Sequence, residues 1–262
     1  MDKFITFETS GINFNYFFTK NHFLLLLISL VIIIFFSMYF TRQKTKVQKV
    51  FVFFVGIILI GLEGARLYWR YKFLEFNGQS LNFFNVVNLD FYTLTLWISL
   101  PLIIIGSFIK KKKQKHNVFG LTYIFNITML AAIITLIYPD GINTSFDFYH
   151  CYNLIFTMSR SLIIMLGLFF AFAKWIFIAE FLDLWKAIFY LIFTGGVCFA
   201  ISHFLAPGLN LFYVEYCPIF ESLGIYLSFP WHLLLLGIFL FVFQLAVYVP
   251  FRFHRRYIYK RK

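Results

Sequence analysis

The sequence predicts an all-α, polytopic membrane protein with seven transmembrane helices. Of its 262 residues, 61% are hydrophobic and 23% are aromatic, and the mean hydropathy is +0.81. A helix needs about 20 apolar residues to cross the ~30 Å hydrocarbon core. Seven runs come close to or exceed that length: residues 23–40, 50–68, 83–109, 118–138, 149–178, 187–205 and 229–249. Because the bilayer core offers the backbone no hydrogen-bond partners, we expect each run to be helical.

The charges between the runs predict how the helices are oriented. Basic residues occupy the loops at 42–49 and 110–115 and the tail at 252–262. With seven spans these three segments share one side of the membrane, and the positive-inside rule makes that side cytoplasmic. The N-terminus is then expected outside and the C-terminus inside. We therefore attribute the net charge of +12 to topology and contact with anionic lipid, and predict no nucleic-acid partner.

These boundaries divide the chain into three parts. The predicted location is the cell membrane, which the protein crosses several times. Residues 1–21 form an exposed or interfacial N-terminal segment, residues 22–251 the transmembrane domain, and residues 252–262 a basic cytoplasmic tail. The second run is expected to end near Tyr68, so that Arg70 and Lys72 belong to an outer loop. The third run is expected to be one helix. The fifth run is the longest, with Lys174 and Trp175 placed to anchor its inner end at the interface.

Ionisable side chains within the runs concentrate toward the predicted outer side. At 1.5 Å of rise per residue, Asp90 of the third run lies roughly 10 Å deep and Arg160 of the fifth run about 16 Å deep. Charges in a bilayer are costly and commonly mark functional sites. The other members of this set lie near the outer ends of the second, sixth and seventh runs: Glu63, Arg66, His203 and His232. Together they predict a polar cavity that opens outward.

Each of these residues has a structural and a functional interpretation. Asp90 and Arg160 differ in depth by about one helical turn, so they either form an ion pair that fixes helix packing or provide an anion site. Glu63 and Arg66 are three residues apart, the spacing of a pair on one helix face. Ser159 either bonds to its own backbone or belongs to the site. The two histidines are either interfacial or catalytic.

Motifs of soluble enzymes are absent from the sequence. There is no Walker A, GxGxxG, HExxH, GxSxG or CxxC pattern, and the three cysteines have no metal-binding spacing. The sequence therefore predicts no metal and no cofactor. It leaves open whether the protein is an enzyme.

Three segments follow an order found in a known family. The first is Glu63-Gly64 followed by Tyr68-Trp69-Arg70, and the second is Leu136-Ile137-Tyr138-Pro139-Asp140. The third is the stretch from Gly208-Leu209-Asn210 through Pro218 and Ser222-Leu223-Gly224 to Phe229-Pro230-Trp231. From residue 63 to residue 251 the chain resembles the YwaF-like integral membrane proteins, bacterial relatives of a eukaryotic transmembrane acyltransferase, which are more distantly similar to androgen-induced transmembrane lipid hydrolases.

The resemblance also implies a change in the site. The family's "LPLHLC" stretch aligns with residues 85–90, which puts Asn88 at its histidine and Asp90 at its proposed cysteine nucleophile. The family's "SH" pair aligns with Ser159-Arg160. A thiol–imidazole pair is thus replaced by a carboxylate and a guanidinium, and arginine cannot act as a general base.

The leading hypothesis is a YwaF-like protein whose outward cavity engages membrane lipid or an acyl group, with the acyl-transfer dyad lost. Its ligand-binding residues would be Arg160, Asp90, Asn88, Glu63 and Arg66. If it is an acyltransferase or lipid hydrolase, the catalytic candidates are Asp90, Ser159, His203 and His232. The alternatives are a small transporter, or the substrate-binding subunit of one, and a purely structural membrane protein. An enzyme predicts a nucleophile and a base within about 3.5 Å. A transporter predicts helices broken at the midplane, for which Gly195–Gly196 is the one sequence hint.

Overall fold

A computed structural model describes residue 7 and residues 20–87, 90–108, 119–138, 150–176, 181–205, 226 and 231–259. Within these ranges the regular structure is helical, which confirms the all-α prediction. The helices are α1 (Lys20–Thr41), α2 (Thr45–Phe76), α3 (Phe83–Val87), α4 (Phe91–Phe108), α5 (Phe119–Tyr123), α6 (Met129–Ile137), α7 (Cys151–Phe172), α8 (Phe181–Ala200) and α9 (Trp231–Tyr259). A π-helical segment, Ile124–Thr128, joins α5 to α6, and a second, Ile201–Leu205, follows α8.

Five helical segments of the described chain are long and apolar enough to cross a bilayer: His22–Thr41, Thr45–Phe76, Phe91–Phe108, Gly120–Ile137 and Cys151–Phe172. They confirm a membrane protein with several spans. Helices α8 and α9 occupy the positions of the sixth and seventh runs, and their described apolar stretches are shorter, Trp185–Ala200 and Leu235–Ala246. Seven spans, the orientation of the termini and the cell membrane as the location stay predictions.

The continuous helix formed by α5 and α6 lies at the centre of the bundle. Of its apolar window, 89% is buried inside the protein, whereas for α1 the share is 17%. Helix α1 packs mainly against α7, and α2 packs against α4 and α7. The contact between α6 and α7 is especially close, because a Cβ atom added to Gly167 would lie 2.6 Å from Sδ of Met129. Close helix contacts through small residues are typical of membrane bundles.

The third run is not one helix, as the sequence had suggested. It is divided into α3 and α4, and Asp90 stands immediately before α4. The Asp90 carboxylate accepts a hydrogen bond of 2.5 Å from the backbone N–H of Thr93. Aspartate is a strong N-cap because its side chain satisfies a donor that has no partner inside the helix. A helix therefore starts at this point of an otherwise apolar run.

The second run is longer than predicted. Helix α2 continues to Phe76, so Arg70 and Lys72 lie in the helix and the prediction of an outer loop there was wrong. Its last turns remain helical because their charges have partners. Lys72 and Glu75 form an exposed ion pair of 2.7 Å, and Arg70 binds the backbone of α3.

The fifth run is shorter than predicted, since α7 ends at Phe172. Lys174 has a φ of 59°, and the backbone N–H groups of Lys174 and Trp175 bond to the carbonyls of Ala171 and Phe170 at 3.3 and 2.9 Å. This is the pattern of a Schellman helix end. Trp175 was expected at the membrane interface, which was wrong. Its ring is buried, and its Nε1–H donates to Oε1 of Gln48 at 3.0 Å.

Candidate functional site

One end of the bundle holds most of the predicted site residues. There the C-terminal half of α2 meets α3, the start of α4, the end of α6 and the first half of α7. These segments come together because successive long helices run in alternating directions. Two groups of polar side chains lie in this region, and each is held by hydrogen bonds between helices.

The first group, called the Glu63 cluster, comprises Glu63, Arg66, Trp97 and the carbonyl of Val87. Arg66 donates from Nε and Nη2 to the two Glu63 carboxylate oxygens at 2.9 and 2.8 Å. Its Nη2 also donates to the Val87 carbonyl at 2.9 Å, and Trp97 Nε1 donates to Glu63 at 2.7 Å. The predicted pairing of Glu63 with Arg66 is therefore present. It is buried and connects α2 to both α3 and α4.

Arg70 lies one turn further along α2 and was not predicted to belong to the site. Its Nε donates to the Asn85 carbonyl of α3 at 2.6 Å. Arg66 and Arg70 thus bind two of the last carbonyls of a five-residue helix, where the backbone lacks intrahelical partners and carries partial negative charge. The available signal was the spacing of four residues between the two arginines, which places both on one helix face.

The second group is centred on the Asp90–Arg160 pair. Nη2 of Arg160 lies 3.8 Å from Oδ2 of Asp90. Arg160 also donates from Nε to Thr135 Oγ1 at 3.2 Å and from Nη1 to the Phe156 carbonyl at 3.3 Å. Its guanidinium carbon is 3.3 Å from the centre of the Phe156 ring and 4.1 Å from that of Tyr92. The Arg160 side chain is 2% exposed, whereas that of Asp90 is 29% exposed.

Ser159 lies beside this pair and is bonded to a tyrosine. Its Oγ is 2.6 Å from the hydroxyl of Tyr92, and both residues are buried. A phenol is protonated at neutral pH, so Tyr92 provides no general base for Ser159. The contact joins α4 to α7, which is a different arrangement from the intrahelical backbone bond considered for this serine.

The remaining predicted residues are not brought to this group by the described contacts. His203 is exposed, and the ring contacts described for it are with Phe199 at 5.6 Å and Phe204 at 4.8 Å, both close to it in sequence. His232 belongs to α9, but its side chain is outside the described part of the chain, as is the whole of Asn88. Their predicted roles stay predictions.

A small cavity lies on the α1 side of the second group. It has a volume of about 10 Å³, and its lining includes His22, Leu136, Asn153 and Phe156. A space of this size holds about one water molecule. His22 Nε2 is 3.2 Å from the Leu136 carbonyl and thereby connects α1 to α6. Among the described residues there is no group of three His, Cys, Asp or Glu side chains that could hold a metal ion.

Comparisons with known proteins place the chain in a family. The model of the TMEM164 family matches residues 17–248, which include every residue of the two groups described above. No curated protein and no solved structure gives a significant match. Since the matched segment covers far more than half of the sequence, the chain belongs to the TMEM164 family of transmembrane proteins.

Proposed function

We propose that this TMEM164 family protein binds a lipid or acyl group at the Asp90–Arg160 pair, and that the pair does not carry out acyl transfer. The observation that carries the proposal is the asymmetry of the pair. Asp90 is 29% exposed, and its nearest oxygen is 3.8 Å from the buried guanidinium. Direct charge-assisted hydrogen bonds are about 2.7–2.9 Å long. The pair therefore has room for another polar group to approach from the exposed side.

The surroundings of Arg160 support binding of an anionic group attached to an apolar chain. Thr135, the Phe156 carbonyl and two aromatic rings fix the orientation of the guanidinium before any ligand arrives. A planar guanidinium suits the oxygens of a phosphate or carboxylate. The many apolar side chains of this end suit an acyl chain.

The residue types argue against retained acyl-transfer chemistry. The resemblance to YwaF-like proteins puts Asp90 and Arg160 where that family has cysteine and histidine. Arginine stays protonated and cannot accept the proton of a nucleophile. The hydroxyl of Ser159, next to Arg160 in the sequence, is bonded to Tyr92, which offers no base. These features support a binding role for a divergent member.

One observation favours the transporter alternative, namely the interruption between α3 and α4. Broken helices at the membrane midplane are typical of transporter sites. Helix α4, however, has 18 residues and a length of about 27 Å, so it can cross the hydrocarbon core without α3. The interruption then lies near one end of the span. Gly195–Gly196, the sequence hint of a break, lie inside the continuous helix α8.

The test compares Asp90→Ala, Arg160→Ala and the swapped variant Asp90→Arg/Arg160→Asp as purified, folded proteins. Thermal stability is measured together with the lipids that copurify, identified by mass spectrometry. Glu75→Ala is the control because it removes a carboxylate from an exposed ion pair. The proposal expects both single variants to fold and to lose a specific lipid that the control retains. Unstable single variants, rescued by the swap with unchanged lipids, would instead identify a purely structural ion pair.

A further inference from the structure

Arg70 is a buried cation with an unused hydrogen-bonding group. The residue is 8% exposed, and its Nη1 lies buried without a hydrogen-bond partner. The hydrogen bond described for Arg70 runs from Nε to the Asn85 carbonyl and uses only one edge of the guanidinium. A buried charged donor without a partner costs free energy, and such groups in native structures call for an explanation. Binding of an anion at Nη1 would satisfy it.

The carboxylates described at this end of the bundle are already engaged by other cations. Glu63 binds Arg66 at 2.8 Å, Glu75 binds Lys72 at 2.7 Å, and Asp90 faces Arg160 at 3.8 Å. In the described ranges this leaves Arg70 as the arginine of this end with no ion pair. The sequence from residue 76 to residue 89 contains no acidic residue. Among the described residues, therefore, no carboxylate neutralises the charge of Arg70.

The position of Arg70 along α2 indicates which anion is available. The helix has 32 residues, so it is about 48 Å long, more than the ~30 Å hydrocarbon core and more than the 40–45 Å that includes both headgroup layers. Arg70 lies six residues, or about 9 Å, from the last residue of the helix. With α2 centred in the bilayer, Arg70 lies about 15 Å from the midplane, at the boundary between the hydrocarbon core and the headgroup layer that carries the lipid phosphates.

The adjoining α2–α3 loop supplies further polar groups at the same place. Residues 77–83 are exposed. Asn85 joins this loop to Arg70, since its carbonyl accepts from Arg70 while its Nδ2 donates to Ser80 Oγ at 2.7 Å. An anion next to Arg70 would thus lie beside an exposed polar loop. Each carboxylate described at this end of the bundle already has a cation as its partner.

We infer that Arg70 is a phosphate site, in which the unused Nη1 donates to an oxygen of a phosphate group. The phosphate comes either from a phospholipid headgroup or from free inorganic phosphate. This site is separate from the Asp90–Arg160 pair, because Arg70 lies on α2, binds the backbone of α3 and shares no described contact with that pair. It does not depend on the proposed function.

The experiment measures binding to the full-length protein, purified in detergent and depleted of lipid. The probes are dioleoylphosphatidylglycerol, dioleoylglycerol, which has the same chains but no phosphate, and inorganic phosphate. Binding is read by native mass spectrometry and by the shift in thermal stability. Arg70→Gln is compared with Lys72→Gln, which removes a neighbouring exposed cation from the same helix. The inference expects binding of the phospholipid but not of dioleoylglycerol, with affinity reduced about tenfold or more in R70Q and unchanged in K72Q.

Binding of inorganic phosphate that R70Q abolishes would assign the site to the free anion, whereas binding of the phospholipid alone would assign it to a headgroup. Equal binding by R70Q and the wild type, or binding of no phosphate at all, would overturn the inference. If R70Q does not fold, Arg70→Lys is used instead, since lysine keeps the positive charge but lacks the Nη1 donor. Unchanged affinity in R70K would likewise overturn the inference. Loss of phospholipid binding in D90A but not in an Arg70 variant would refute this site and support the Asp90–Arg160 pair.

Discussion

Replacing Glu63 should destabilise the protein far more than replacing a carboxylate in an equivalent exposed pair. Glu63→Ala removes the acceptor of two bonds from Arg66 and one from Trp97, and it leaves the Arg66 side chain, 6% exposed, without its counter-charge. Removing one partner of a buried ion pair typically costs about 3–5 kcal/mol. Glu63 and Arg66 share a helix and stay close together after the helices separate. We therefore expect a loss of about 3 kcal/mol, at the lower end of that range.

The chain contains its own control for this prediction. Glu75 pairs with Lys72 on the same helix, at the same spacing of three residues and at 2.7 Å, but both side chains are exposed. Glu75→Ala should not change the free energy of unfolding measurably, because water replaces the lost contact. Trp97→Phe keeps a ring and removes only the N–H donor to Glu63, so it should cost about 1 kcal/mol.

The assay is equilibrium unfolding of the purified protein in mixed micelles, with helix content and tryptophan fluorescence followed as the fraction of denaturing detergent rises. E63A, E75A and W97F are compared with the wild type under identical conditions. We expect the loss in free energy of unfolding to be largest for E63A, smaller for W97F and smallest for E75A. Equal free energies of unfolding for E63A and E75A would show that burial of the Glu63 cluster does not contribute to the packing of α2 against α4.

Three further substitutions test other contacts, each by thermal unfolding in detergent followed by circular dichroism. Gly167→Ala forces a Cβ atom to 2.6 Å from Met129 Sδ and should cost about 1–3 kcal/mol of stability. The control Gly61→Ala, whose Cβ meets nothing within 4 Å, should leave the stability unchanged. Equal effects of the two substitutions would contradict the close helix contact. Lys174→Gly should stabilise the protein by about 1 kcal/mol, because glycine adopts a φ of 59° without the steric cost that a side chain carries. A loss of stability would argue against the Schellman end. Gln48→Leu removes the acceptor of a buried indole N–H and should cost about 2 kcal/mol, so an unchanged melting temperature would mean that this contact is dispensable.

The helical architecture could be predicted because the bilayer leaves the backbone few alternatives. Long apolar runs need internal hydrogen bonds, and within each run most of the residues that the structure describes are helical. The sequence also placed Asp90 and Arg160 at similar depths, where two opposite charges in lipid lower each other's cost, but it left open whether they meet; their side chains lie 3.8 Å apart. Length and depth are properties of single segments, which a sequence displays directly.

The errors came from contacts between segments. The end of the second run was misjudged because Arg70 and Lys72 resemble loop residues until their partners, the Asn85 carbonyl and Glu75, are known. The start of α4 was missed because hydropathy does not register that an aspartate side chain can cap a helix. Trp175 was assigned to the interface since its partner, Gln48, is 127 residues away in the chain.

The packing of α1 has a consequence for how the protein is made. This helix is synthesised well before α7, yet it packs mainly against α7, which is completed more than one hundred residues later. One of its polar groups depends on α7 itself, since Ser37 Oγ donates to the Met165 carbonyl at 3.1 Å, and His22 reaches the Leu136 carbonyl only once α6 is in place. With 17% of its apolar window buried in the finished bundle, α1 is suited to remain surrounded by lipid until α7 has inserted. A ribosome stalled before α7 should therefore leave α1 inserted without its main packing partner, with the face that later contacts α7 open to crosslinking with lipid.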